Sequence, residues 1–126
     1  MERDKELDRQ FAWLFQWFDF SQNPIIEAPR EGDWVADPTV VIPQESPDGK
    51  WHLFCSGKGI KHFVSDDGFH WVYLGLALQE GYSPFLFRES DTFWLFYQVS
   101  MGKHRETAIV CRSSKDLQNW SERKIG

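Results

Sequence analysis

Cysteine is nearly absent: Cys55 and Cys111 are the only two in 126 residues. Their separation suits neither a metal site nor a disulfide framework, so both read as small hydrophobes, and a reducing cytoplasm is the simplest expected location. A basic excess is missing too. With 14 Lys+Arg against 19 Asp+Glu, the net charge is −5, which argues against a nucleic-acid partner or an anionic membrane surface. No apolar run approaches the roughly 20 residues that span a bilayer, so no membrane partner is expected. The charged start, Glu2-Arg3-Asp4-Lys5-Glu6, is unlike a secretory signal. His52, His62, His70 and His104 show no two-histidine spacing suited to zinc, so neither a metal nor a cofactor is expected. His52 and His62 fall on neighbouring strands, where alternation can bring them together or point them apart. What is abundant is aromatic: 7 Trp, 11 Phe and 3 Tyr. Rings fill β cores and also stack on sugar faces, and composition does not separate the two uses.

Leu7, Phe11, Leu14, Phe15 and Phe18 recur at helical spacing, and this predicts a helix over roughly residues 3–18 within an N-terminal segment 1–20. Trp13 and Trp17 form a second flank. Either both flanks pack on the body of the protein, or one covers a surface supplied by other chain. Residues 21–35 read as a linker. From there the period changes to two, with strands expected at about 38–43, 51–56, 60–65, 71–75, 84–88, 93–99 and 107–113, and an eighth from Trp120. Pro47-Asp48-Gly49, Asp67-Gly68 and Ser90-Asp91 supply the turns.

The strands fall into two copies. Asp37-Pro38-Thr39-Val40-Val41 is answered by Ser83-Pro84-Phe85-Leu86-Phe87, and Trp51-His52-Leu53-Phe54-Cys55 by Phe93-Trp94-Leu95-Phe96-Tyr97. Ser65-Asp66-Asp67-Gly68-Phe69-His70-Trp71 is answered by Ser114-Lys115-Asp116-Leu117-Gln118-Asn119-Trp120. Four strands per roughly 46 residues is the unit of a β-propeller blade. The expected architecture is mainly β: an N-terminal α-helix, then four-stranded antiparallel blades over 36–80 and 81–126. Two blades do not close a ring. Self-association, or further C-terminal blades, is therefore expected to cover the apolar blade faces. Asp67-Gly68 departs from the sialidase repeat, whose glycine lies one residue further on.

In this order of motifs the chain resembles the N-terminal part of the five-bladed propeller glycosidases, the superfamily of glycoside hydrolase family 43 and of the invertase and levansucrase families. The likeness covers about residues 24–126. It implies a protein that hydrolyses glycosidic bonds of the arabinoside, xyloside or fructoside class with inversion, using three acids at the mouth of the channel. The general base sits in an Asp-Pro motif on the innermost strand of the first blade, the position held here by Asp37. Asp before Pro is also a common turn residue with no catalytic role. The two other acids come from later blades, so the chain alone is expected to be inactive. Glu80 is the one local candidate for the acid, though a solvated loop role fits it as well. Trp34, Trp51 and Tyr82 are candidate rings for stacking on a carbohydrate substrate. The alternative reading is a propeller that binds carbohydrate without cutting it.

Overall fold

The computed structural model describes residues 5–14, 16–102 and 106–125. His104 lies outside these residues, as does Phe15. Two four-stranded antiparallel sheets carry the fold. The first runs β1 (Ala36–Val41), β2 (Trp51–Ser56), β3 (Ile60–Ser65) and β4 (Trp71–Leu78), each strand beside the next. The second repeats that order with β5 (Tyr82–Glu89), β6 (Thr92–Met101), β7 (Glu106–Ser114) and the two-residue β8 (Lys124–Ile125).

The repeat holds at atomic detail in the turn that closes each third strand. Ser65 Oγ donates to Asp67 Oδ1 at 3.0 Å, and Ser114 Oγ to Asp116 Oδ1 at 3.0 Å. The same Asp oxygens then accept the N–H groups of Phe69 and His70, or of Gln118 and Asn119. His70 Nδ1 and Asn119 Nδ2 each reach the other carboxylate oxygen, both at 2.7 Å. These donors, the N–H of His70 or Asn119 foremost, hold both carboxyls well below the usual range. The turn needs one left-handed residue, filled by Gly68 (φ 80°) in the first copy and by Leu117 (φ 63°) in the second. A leucine pays backbone strain there, and its fully buried side chain gains the packing between the sheets in return.

Alternation divides each strand between two environments. Val41, Phe54, Ile60 and Leu78 of the first sheet meet Phe93, Leu95, Tyr97, Val99, Val110 and Leu117 of the second in one core. On the other side of the first sheet, Leu53, Cys55 and Phe63 are covered by Ile26 and Val35 of the segment that precedes β1. That segment is fastened by the buried Lys61, whose Nζ donates to Asp33 Oδ1 at 2.9 Å and also to the Gly57 carbonyl. The far side of the second sheet has no such cover among the described residues, and Phe85, Phe87 and Ile109 are exposed there.

The N-terminal helix is shorter than its pattern predicts. α1 spans Lys5–Gln10, a 3₁₀ turn follows at Ala12–Leu14, and residues 16–20 carry no helix. Phe11, Trp13, Leu14, Trp17 and Phe18 are all exposed, Trp17 by 84% and Phe18 by 88%. These side chains are not packed on the sheets. A short amphipathic helix draws its stability from burial of its apolar face, and side chains this exposed contribute little of it.

His52 and His62 do meet. The β2–β3 register sets Phe54 opposite His62, so His52 is its diagonal neighbour on the same face, and His52 Nδ1 lies 2.8 Å from His62 Nε2. His52 Nε2 is in turn 2.8 Å from Asp48 Oδ1. Burial first, and the neighbouring His52 second, push His62 down to about 4. His62 thus stays neutral in the fold while an unfolded chain titrates near the ordinary value of about 6.5. Between these two values the unfolded state binds more protons, so stability is complete above pH 6.5 and falls as the pH drops towards 4. Urea midpoints taken at pH 7.5 and 4.5 should show this loss, and His62→Gln should flatten it. Equal slopes in the two proteins would show that this histidine is not the source.

Candidate functional site

Asp37 stands second in β1, where the register to β2 slips between Ala36 and Thr39. Its backbone is left-handed, φ 54°, directly before Pro38. Asp tolerates that region better than most residues, and the bulge with its proline re-aims the side chain out of the regular pleat. The second copy repeats the device. Ser83 has φ 51°, precedes Pro84, and lies in a slip between Tyr82 and Phe85. The two first strands are neighbours, joined by the Leu86 N–H donating to Thr39 Oγ1 at 3.2 Å. Asp37 and Ser83 therefore face each other across the junction of the sheets.

Three side chains converge there. Ser56, fully buried at the end of β2, donates from Oγ to Asp37 Oδ2 at 3.1 Å. Ser83 Oγ donates to the same oxygen at 3.3 Å. The Ser83 N–H donates to Ser56 Oγ at 2.6 Å and closes the triangle. Asp37 itself is exposed. Among the described residues no group of three or more His, Cys, Asp or Glu side chains is arranged to hold a metal.

The other sequence candidates separate. Trp34 precedes β1 at the Asp37 end, is exposed, and is held by its N–H donating to Asp33 Oδ1 at 2.8 Å. Tyr82, half-buried, adjoins Ser83 at that same end. Trp51 does not belong with them. It begins β2, and Ser56 ends it opposite Ala36, so Trp51 stands roughly 17 Å along the strand from the Asp37 end. Its ring lies over the Gly68 turn, where a side chain on Gly68 would come within 3.1 Å of it. Cys55 is buried, and burial pushes its thiol up to about 11, so it is no nucleophile at neutral pH.

Glu80 is neither a solvated loop residue nor poised as an acid. Its Oε1 accepts from Tyr97 Oη at 2.8 Å and from Arg112 Nη2 at 3.0 Å, and its Oε2 from Arg123 Nη1 at 3.0 Å. The tyrosine hydrogen bond first, with the two guanidiniums, holds its carboxyl below the usual range. A general acid needs the opposite shift. Glu80 instead ties the β4–β5 connection to the second sheet.

Ser56 and Ser83 went unmarked as site residues in the sequence. Ser83 carried a signal, since it is the repeat partner of Asp37; Ser56 carried none, because only the β1–β2 register brings it there.

Comparison with known proteins gives these features a context. No protein-family model matches the chain. It is 29% identical to a probable arabinan endo-1,5-alpha-L-arabinosidase C of Aspergillus clavatus, over 71% of this chain and 32% of that protein. Among solved structures, a mutant of the Cellvibrio cellulosa alpha-L-arabinanase superposes with a TM-score of 0.57 at 26% identity, covering 69% of this chain and 33% of that one. The native Bacillus subtilis arabinanase superposes with a TM-score of 0.59 at 18% identity, covering 78% and 38%. The chain thus spans about a third of the length of the curated relative it matches. Two four-stranded antiparallel sheets, repeated blade on blade, match the blades of these arabinanases, and the chain is glycoside hydrolase family 43-like in its fold.

Proposed function

We propose that the protein carrying these blades hydrolyses glycosidic bonds of the arabinoside, xyloside or fructoside class with inversion, arabinofuranosides first, and that Asp37 is its general base. One observation carries the reading: an exposed carboxylate at the head of the first strand of the first blade, with one oxygen engaged by two serine hydroxyls. Inversion needs a second carboxyl, in the acid form, about 6.5–9.5 Å from the base, with room for water between. Glu80 is committed to two arginines and does not fill that role. The acid then comes from chain outside these two blades, and the blades alone do not turn over substrate. Trp34 and Tyr82 lie at the same strand ends as Asp37 and are the candidate rings for a sugar face. The uncovered far side of the second sheet is where a further blade packs.

The test compares the 126-residue chain with a longer protein that includes the adjoining blades, on aryl arabinofuranosides and xylosides. Turnover by the longer protein alone, with an inverted anomeric product by proton NMR, is the expected outcome. Turnover by the short chain that disappears in Glu80→Gln would make Glu80 the acid and overturn this assignment. Oligosaccharide binding without turnover in the longer protein would favour the non-catalytic carbohydrate-binding reading.

A further inference from the structure

The geometry points to Ser56 and Ser83 as positioning residues that fix which oxygen of Asp37 acts. This rests on Asp37 being the base. A carboxylate has two chemically equivalent oxygens, and free rotation would offer either one to water. Here they are made unequal. Oδ2 accepts from Ser56 Oγ and from Ser83 Oγ, while Oδ1 has no hydrogen-bond partner among the described residues. The Ser56 hydroxyl has one proton, and its oxygen already accepts the Ser83 N–H at 2.6 Å, so its proton is free for the carboxylate. Ser56 is fully buried and moves little. Ser83 is held by its left-handed backbone and the proline behind it. Both donors sit on scaffolds that leave them small freedom, and their shared target is one atom. Oδ1 is the oxygen left to take a proton from the attacking water.

The two hydroxyls come from different blades, Ser56 from the first sheet and Ser83 from the second. The aim of the base therefore depends on how the two blades are seated. A substitution that shifts the second blade should disturb Asp37 without touching it.

Two measurements decide the matter, one of which needs no turnover. Scalar couplings in protein labelled with carbon-13 at aspartate should show one side-chain rotamer for Asp37, and rotamer averaging in Ser56→Ala and in Ser83→Ala. A single unchanged rotamer in Ser83→Ala, which removes a half-buried hydroxyl and keeps the backbone N–H that donates to Ser56, would overturn the proposal. In the longer, active protein Ser56→Ala should lower kcat about tenfold with KM little changed. It should add nothing further on an Asp37→Asn background, because both changes remove one function. Additive losses would assign Ser56 a purely structural role and also overturn it. If the rotamer is released while Asp37→Asn leaves turnover intact, the positioning stands and the general-base reading falls.

Discussion

Asp37→Asn is expected to lower turnover of the longer protein about 10²–10⁴-fold, the usual cost of removing a general base, with its unfolding transition little moved. The substitution is mild everywhere except at the reacting atom. Asparagine tolerates a left-handed backbone nearly as well as aspartate, so φ 54° before Pro38 is kept. The two serine hydroxyls need an acceptor, and they turn the amide so that its oxygen takes the place of Oδ2. That leaves the NH₂ group where Oδ1 was, and an amide nitrogen does not take a proton from water. Alanine is a poorer probe, since it adds strain at positive φ and strands the buried Ser56 hydroxyl. Steady-state kinetics beside a melting curve is the check. Retained turnover in a folded Asp37→Asn protein removes Asp37 from the chemistry.

Phe54→Ala is expected to destabilise the chain by about 3–5 kcal/mol, against a total of roughly 5–15 kcal/mol for an ordinary domain. Phe54 is fully buried in the first blade, in the core that the two sheets share. Its ring stacks on His62 with centroids 4.2 Å apart, and meets the Trp120 ring edge-on at 5.7 Å. Truncation opens a cavity between two sheets whose backbones are each fixed by their own ladders, so collapse around it is limited. It also removes the wall against which the His52–His62 pair is packed. Phe87→Ala on the exposed far side should shift the urea midpoint of the same 126-residue chain by much less. Equal losses from the two substitutions would show that the seam between the sheets is not what holds them together.

The seam and the site were legible in the sequence to different degrees. The strand order followed from period-two hydrophobicity and turn residues, and the repeat from three pairs of answering segments, because backbone alternation and turn geometry are local properties. Asp37 was legible as one half of a repeat pair whose other half is Ser83. The N-terminal helix was overstated for a physical reason: Phe11, Trp13, Leu14, Trp17 and Phe18 have the period of a buried face, and a period does not say whether a partner surface exists. The surroundings of Trp51 and Glu80 were not legible for a related reason. Trp51 is near Asp37 in sequence order but begins β2 at its far end. Glu80 lies just before the second x-Pro motif, yet it is claimed by Tyr97, Arg112 and Arg123, residues 17 to 43 positions away.

The sequence by itself determined the strands, the turns between them and the twofold repeat, since each depends on residues a few positions apart. Only the tertiary structure decided what those elements bring together. The β2–β3 register settled that His52 and His62 touch, and the slips at Asp37 and Ser83 re-aimed both side chains towards the junction of the sheets. Register and blade seating are set by packing across the whole sheet, where a shift of one residue exchanges every inward and outward side chain. That is why one buried serine, Ser56, holding an oxygen 19 residues before it, is visible in the fold and silent in the sequence.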